Sequence, residues 1–372
     1  MRAFTPPTRR HWLAQVAALG LVAAARPVPA RANDPSPLHF AAAWEADVGG
    51  YQVGVLQQQG GQLAIQSALS VPTRAHGVWA EAGGTLLAAA RRPGDWLVRL
   101  RLADGQALAW HWMEDGRAFN GHVIASADGR RLYTTETDLE SAEGLIGVRD
   151  AATLEKIDEW RTHGMDPHEL LLDADGTLLV ANGGIPTLPE TGRVKVELHR
   201  MDASLVRLDT QGGQLRGQWR VADRRLSLRH LAWGHDERGA RVLGIALQAE
   251  HEEAAARAAA PLFARFDGRA LQVFGGPQPL AGYAGDIGFA AGRFALSCPR
   301  AQGVALWRSD GHWAGFVPLA EACALAPDAR AAQLWAGGAG LARPLSGHAG
   351  TADPALRVQG LRLDNHWALL PT

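Results

Sequence analysis

Residues 163–184, HGMDPHELLLDADGTLLVANGG, decide the fold of this chain. Two short apolar runs, 170–172 and 178–181, flank the turn 173–176, in which Gly176 can adopt the positive φ angle that a tight turn needs. This pattern predicts a β-hairpin. Because an isolated hairpin is only marginally stable in water, we expect further sheets to cover both of its faces.

A repeated unit supplies that cover. Hairpin sequences related to the first occur at 79–87 and 125–133. Each copy of the unit begins with a polar residue that precedes apolar residues, at His76, His122, His168, His230, Asp286 and Cys323. These positions are separated by 46, 46, 62, 56 and 37 residues, and a four-stranded propeller blade takes about 40 to 50 residues. Insertions at 183–202 and 250–261 explain the two long spacings.

Six such units and an N-terminal unit at 40–69 predict an all-β fold, a seven-bladed β-propeller of four-stranded antiparallel blades. Runs 144–150, 204–209 and 303–308 are predicted to be third strands, each leading to an outer strand. The last apolar run, 361–369, is expected to pair with the N-terminal strands, because an open sheet edge invites aggregation. We assign residues 33–372 to this single domain.

The first 32 residues are predicted to be a twin-arginine signal peptide. Arg9 and Arg10 precede an apolar stretch at 13–25, and residues 30–32 form an A-x-A cleavage signal. A short membrane anchor is the alternative, but the stretch is well below the ~20 residues that span a bilayer. A twin-arginine signal implies export of an already folded protein, so the predicted location is the periplasm.

Composition narrows the function classes. The signal holds five arginines and no acidic residue, which leaves 32 basic against 38 acidic residues in the rest of the chain. No basic stripe indicates a nucleic acid partner, and no second apolar segment indicates a membrane span in the mature chain. An oxidising compartment permits a bridge between Cys298 and Cys323, but their expected places on different strands favour two unpaired thiols.

The innermost strands of a propeller line its central channel, and the first residues of these strands cluster at one mouth. Imidazole and carboxylate groups there are metal ligands by type. We therefore predict a metal site, with Fe or Cu as candidate ions, formed by His76, His122, His168, His230 and Asp286. Ligand-binding residues are predicted beside it, namely Arg74, Glu169, Arg193 and Arg229. The alternative is that these histidines only hydrogen-bond neighbouring blades to each other.

Two charged loops are further features of the sequence, and several catalytic and cofactor-binding motifs are absent from it. The insertion at 183–202 is a second candidate site because it is long and carries charged residues, or else it is a packed cover over the channel mouth. The acidic segment 136–143 is predicted to be solvated surface. The sequence contains no G-x-S-x-G, no P-loop and no C-x-x-C-H, so it offers no site for a covalently bound cofactor.

Several motifs, in this order along the chain, resemble those of a family of exported bacterial proteins that is called domain of unknown function 1513. They lie at 121–136, 144–148, 163–169, 180–185, 201–205, 228–231 and 364–367. The resemblance implies a propeller of the YVTN or quinoprotein-amine-dehydrogenase-like kind. It also implies genes beside those of imelysin-like and di-haem peroxidase-like proteins, a setting linked to iron acquisition. Where the family has a Gln-Tyr-Gln-Gly character, this chain has QAEH at 248–251.

The sequence thus predicts a periplasmic binding or assembly module of an iron (metal) uptake system, with the histidine-lined mouth as its site. Its predicted partners are imelysin-like or di-haem periplasmic proteins. One alternative is a propeller enzyme, either a metal-dependent lactonase or a quinoprotein dehydrogenase. Lactonase propellers usually place Glu, Asn and Asp at the mouth, whereas this mouth is rich in histidine. Another alternative is a platform that only docks other proteins.

Overall fold

The computed structural model describes residues 37–186, 195, 197–328, 331–345 and 355–371. Strands make up most of this part of the chain. They are β1 (His39–Ala46), β2 (Tyr51–Gln59), β3 (Gln62–Val71), β4 (Ala75–Glu81), β5 (Thr85–Ala90), β6 (Trp96–Arg101), β7 (Ala107–Trp112), β8 (Arg117–Ala125), β9 (Arg131–Asp138), β10 (Gly144–Asp150), β11 (Lys156–Arg161), β12 (Pro167–Leu172), β13 (Leu178–Asn182), β14 (Ser204–Leu208), β15 (Leu215–Trp219), β16 (Leu226–His235), β17 (Arg241–Ala249), β18 (Phe263–Phe266), β19 (Leu271–Phe274), β20 (Asp286–Ala290), β21 (Arg293–Cys298), β22 (Gly303–Arg308), β23 (Trp313–Pro318), β24 (Ala324–Asp328), β25 (Gln333–Gly338), β26 (Leu341–Leu345), β27 (Leu356–Val358) and β28 (Leu361–Leu369). Short helices lie at Leu198–Arg200, Ala254–Ala259 and Pro299–Ala301.

The strands form four-stranded antiparallel sheets in chain order, namely β4–β7, β8–β11, β12–β15, β16–β19 and β20–β23. A further sheet has eight strands, in the order β24-β25-β26-β27-β3-β2-β1-β28. In its middle, β27 pairs in parallel with β3, and Arg357 lies opposite Gln62. The predicted all-β fold of four-stranded antiparallel sheets is confirmed, whereas this eight-stranded sheet was not predicted.

The hairpin expected from the opening stretch is present. Strands β12 and β13 pair antiparallel, with Leu170 opposite Val180. Between them the N–H of Gly176 donates to the carbonyl oxygen of Asp173 at 3.0 Å, and the φ angle of Gly176 is 82°. Strands β10, β14 and β22 coincide with the predicted third strands. The last run is strand β28, which pairs antiparallel with β1 as expected.

Neighbouring sheets pack through apolar side chains, which explains why so many strands are continuous apolar runs. One core cluster contains Phe40, Trp335 and Trp367, and another contains Phe263 and Trp307. Every residue of β13 is buried, because sheets cover it on both sides. This burial of both faces is the source of the short apolar runs in the sequence.

The first strands of successive sheets lie side by side. Strand β4 contacts β8, and contacts then continue from β8 to β12, β16, β20 and β24. Strand β28 contacts both β24 and β4, so the circuit returns to its beginning. We call these seven strands the inner strands. No helix within the described residues is long and apolar enough to cross a membrane.

The two cysteines are free thiols. This result agrees with the expectation of unpaired sulfur atoms. Burial raises the pKa of Cys298 and of Cys323 to about 12, so both are protonated at neutral pH. A protonated thiol is a poor nucleophile and a poor metal ligand. These residues therefore act as small apolar side chains in the core.

A buried ion pair corrects the prediction that segment 136–143 is solvated surface. The side chains of Glu136 and Arg149 are both 0% exposed, and Arg149 Nη2 lies 2.6 Å from Glu136 Oε1. Thr134 Oγ1 also donates to Glu136, at 2.6 Å, and Lys156 Nζ lies 3.1 Å from its other oxygen. Glu140, by contrast, is exposed, as predicted. Residues 132–137 of β9 are all buried, which the acidic composition of the segment concealed.

We expect Arg149→Met to lower the free energy of unfolding by about 3–5 kcal/mol, because it leaves the Glu136 carboxylate buried without its main partner. Urea unfolding followed by circular dichroism measures the effect. The matched control is Arg101→Met, since Arg101 is 45% exposed and pairs with an exposed aspartate. It should leave the midpoint nearly unchanged. Equal losses in the two variants would contradict the assignment.

Candidate functional site

Five imidazole rings form one buried cluster, which we call the histidine cluster. It consists of His76, His122, His168, His230 and His366. In nine of the ten pairs that they form, the ring centroids lie 4.5 to 5.7 Å apart, and none of the five residues is more than 9% exposed. The structure thus brings together the four histidines that the repeat pointed to. It adds His366, which the sequence reasoning did not assign to the site.

An irregularity in each of five inner strands positions these rings. Regular pairing with the second strand is interrupted around each histidine, between Ala75 and Val78, Phe119 and Val123, Pro167 and Leu170, Leu228 and Leu231, and, on β28, Leu363 and Trp367. A bulge bends its strand and re-aims a side chain. Asp286 lies in regular pairing, opposite Ser297. The bulges therefore coincide with the histidines and not with every inner strand.

Glycine makes the close approach of β4 and β8 feasible. A Cβ atom on Gly121 would lie 2.7 Å from His76 Cδ2, and one on Gly77 would lie 2.5 Å from the carbonyl oxygen of Gly121. Gly121 also has a φ angle of 108°, which a residue with a side chain rarely adopts. Gly77 and Gly121 thus allow the rings of His76 and His122 to approach each other.

His168 Nε2 lies close to two other ring nitrogens. His168 Nε2 lies 3.3 Å from His76 Nε2 and 3.1 Å from His230 Nε2. An sp² ring nitrogen has either one proton or one lone pair, so His168 Nε2 cannot make a full hydrogen bond to both neighbours. Two imidazole nitrogens bound to one ion at 2.0–2.1 Å are roughly 3.0–3.4 Å apart. Both observed distances fall within this range, and both are also within hydrogen-bonding range.

Several other ring nitrogens in the cluster are buried without a hydrogen-bond partner. They include His76 Nδ1, His122 Nε2 and His366 Nε2. Each buried polar atom left unpaired costs about 1–3 kcal/mol. The groups whose ligand atoms all lie within 4.8 Å of one another are His76, His122 and His168; His76, His230 and His366; and His122, Glu169 and His230. The donor set therefore fits a transition metal ion.

Two carboxylates border the cluster. Glu169 Oε2 accepts the N–H of Leu231 at 2.7 Å and lies 3.3 Å from His230 Nδ1. Asp286 Oδ1 lies 3.3 Å from His366 Nδ1, and Oδ2 accepts the N–H of Leu325 at 2.8 Å. Asp286 is thus the carboxylate partner of His366, and its predicted role as a metal ligand stays a prediction.

Burial sets the protonation of the cluster. It lowers the pKa of His76, His122, His168 and His230 well below the usual value, and for most of them neighbouring positive charge adds to the effect. Burial also acts to lower the pKa of His366, but the Asp286 carboxylate outweighs it and the pKa of His366 is raised. Four of the rings are therefore neutral at neutral pH and carry a lone pair.

A cavity of about 170 Å³ opens beside the cluster and reaches His76, His168 and His230. Its wall is strongly basic, with Arg91, Arg92, Lys195, Arg229 and Arg300. We call this cavity the basic mouth. Of the predicted ligand-binding residues, Arg229 lines it, Glu169 borders the cluster, and Arg74 binds Asp364 at 2.5 and 2.9 Å. Arg193 lies outside the described residues.

Sequence reasoning missed His366, Arg91, Arg92 and Arg300. A usable signal existed for His366, because the last run was already expected to pair with the N-terminal strands and so to be an inner strand. For the arginines the signal was weaker. Arg91 and Arg92 follow β5, and Arg300 follows β21. These are connections from a second to a third strand, as is the insertion that contains Lys195.

The lowered pKa values predict a stability that falls in acid. Below pH ~6.5 these four histidines bind protons in the unfolded chain but stay unprotonated in the folded protein. The free energy of unfolding therefore decreases as the pH falls. We expect His122→Gln to reduce this slope by up to ~1.4 kcal/mol per pH unit in chelator-treated protein. Urea unfolding between pH 7.5 and 5 measures it.

The control for this prediction is His312→Gln, because the His312 side chain is 80% exposed. That variant should keep the wild-type dependence on pH. A slope that is the same in all three proteins would contradict a depressed pKa at His122.

Comparison with solved structures identifies the fold as a β-propeller. The structure is similar to that of streptogramin B lyase, with a TM-score of 0.54 and 11% identity over 77% of this chain and 83% of that chain. It is also similar to BamB from Moraxella catarrhalis, with a TM-score of 0.51 and 15% identity over 88% and 90% of the two chains. At such low identity the likeness concerns the fold alone.

The particular family is defined by the sequence. Residues 69–370 match the family described as "Protein of unknown function (DUF1513)", and this chain belongs to it. A search of curated protein sequences gave no significant match.

Proposed function

We propose that the chain is a seven-bladed β-propeller that binds a transition metal ion at the histidine cluster, as a periplasmic binding or assembly module of an iron uptake system. The blade count is supported by the circuit of seven inner strands. The eight-stranded sheet then comprises two blades, β24–β27 and β28-β1-β2-β3, that meet along the short parallel pairing of β27 and β3. Residues 33–372 form the single domain of this proposal.

One observation carries the metal site: His76, His122 and His168 place ligand nitrogens within 4.8 Å of one another. Neutral imidazoles with nearby carboxylates suit Fe, Cu and Zn. At equal concentration Cu²⁺ would bind such a set more tightly than Fe²⁺ or Zn²⁺. Occupancy by iron would therefore depend on which ions are available to the protein and not on the intrinsic affinity of the site.

The cellular setting rests on the sequence. Export by the twin-arginine signal at 1–32 would carry a folded chain, together with an ion already in the cluster. The link to iron and the imelysin-like or di-haem partners rest on the family resemblance. In this setting the propeller receives or holds the ion and presents it to a neighbouring protein.

Metal binding is tested by equilibrium dialysis of chelator-treated protein against Fe²⁺, Cu²⁺ or Zn²⁺, followed by elemental analysis. We expect one tightly held ion per chain. His168→Gln removes the nitrogen that lies closest to two others, so affinity should fall by roughly 100-fold or more. Circular dichroism verifies that the variant is folded.

The matched control is His235→Gln, since His235 is exposed at the C-terminal end of the strand that contains His230. It should bind metal like the wild type. Metal binding that survives His168→Gln, or that His235→Gln weakens equally, would remove the histidine cluster from consideration.

A propeller enzyme is the second candidate, and the basic mouth is the observation that favours it. The mouth gives small molecules a route to His76, His168 and His230. Assay of the metal-loaded protein with a panel of lactones and amines decides between the two. Turnover that His168→Gln abolishes would favour the enzyme over the binding module.

A further inference from the structure

We infer that the basic mouth is a binding site for a small oxyanion, a compact carboxylate or phosphate, directly beside the histidine cluster. This inference rests on the proposed function in one point: the anion is expected to bind together with a metal ion held by the imidazoles. The site itself is built from residues that are separate from most of the proposed metal ligands.

Arg229 is the centre of this site. Its side chain is 1% exposed, and its Nη1 lies 2.8 Å from Asp166 Oδ2. The remaining guanidinium nitrogens, Nε and Nη2, are buried without a hydrogen-bond partner. Buried donors on a charged group are costly to leave unpaired, and a guanidinium fork matches the two oxygens of a carboxylate or phosphate. Arg229 thus offers free donors in the wall of the cavity.

A second guanidinium faces the same cavity. Arg91 Nη1 is also buried without a hydrogen-bond partner. Its nearest carboxylate oxygen, Asp364 Oδ1, is 3.7 Å away, and Asp364 already accepts two hydrogen bonds from Arg74. Arg91 is therefore incompletely neutralised.

Charge around the mouth is unbalanced. Among the described residues that line it there are five cationic side chains and no carboxylate. Three carboxylates that do not line the cavity lie close to these cations. Asp166 is shared by Arg92 and Arg229, Glu250 pairs with Lys195, and Asp364 lies near Arg91. Burial together with the charge of Arg229 lowers the pKa of Lys195, as expected where positive charges crowd.

The remaining lining groups suit the same ligand. Arg300 stacks on Tyr283, with its guanidinium carbon 4.6 Å from the ring centroid, and this contact leaves the edge of the guanidinium for hydrogen bonding. A compact oxyanion fits a cavity of about 170 Å³.

The mouth and the cluster are in direct contact. Arg229 Nη1 lies 3.4 Å from His168 Nδ1. A cation among the imidazoles would therefore be close to Arg229, and like charges at such separations repel each other. An oxyanion on the guanidinium groups offsets this repulsion. Metal and anion should consequently bind with positive coupling, each increasing the affinity for the other.

Isothermal titration calorimetry of chelator-treated protein tests the anion site without any metal. One arm uses sodium phosphate and the other sodium malate, both in a low-salt buffer at pH 7. We expect saturable binding of one ion per chain in at least one arm, and the tighter arm identifies the source. Arg229→Gln and Arg91→Gln should each weaken binding 10-fold or more, the usual range for a charge-assisted hydrogen bond.

The matched control is Arg101→Gln, an exposed arginine that does not line the mouth, and it should bind like the wild type. If Arg229→Gln does not fold, Arg91→Gln alone gives the answer. No saturable binding in either arm, or equal binding by wild type and Arg91→Gln, would overturn the inference.

The two proposals fail separately. Zn²⁺ binding by the wild type in a buffer free of phosphate and carboxylates tests the histidine cluster, and anion binding by metal-free protein tests the mouth. Where both bind, the tighter anion should increase the affinity for Zn²⁺ 10-fold or more. An unchanged Zn²⁺ affinity would overturn the coupling between the two sites.

Discussion

Antiparallel pairing of β28 with β1 is the interaction on which the rest of the site depends. It places the last described strand against the first and fills the position between β24 and β4. His366 thereby comes next to His76, with ring centroids 4.7 Å apart, although the two are far apart in sequence. Without this pairing, two sheet edges would be exposed, and the cluster would lose a ring and the Asp286–His366 ion pair.

The sequence predicted much of this architecture because burial of both sheet faces leaves a simple pattern of short apolar runs. The same repeat located His76, His122, His168 and His230. It could not reveal the bulges, because an interruption of strand pairing has no fixed sequence signature. The basic mouth was hidden for a different reason. Apart from Arg229, which lies on β16, its arginines come from loops that follow second strands, and apolar periodicity says nothing about where loops converge.

The histidine cluster and the rest of the core contribute to stability with opposite signs. Large apolar interfaces between sheets stabilise the fold, whereas the cluster holds ring nitrogens that are buried and unpaired. Such groups reduce stability and are expected mainly where function requires them. The buried Glu136–Arg149 pair differs, because hydrogen bonds from Thr134 and Lys156 satisfy it. The contrast separates a buried polar pair whose hydrogen bonds are satisfied from buried polar atoms that are left unpaired.

The position of β28 in the chain also fixes when the cluster can assemble. A ribosome synthesises this strand after every other described strand, so His366 emerges once the other four histidines are already available. An ion that arrives during synthesis would meet an incomplete set of nitrogens. The complete set of five rings therefore forms only when the whole circuit of sheets has closed.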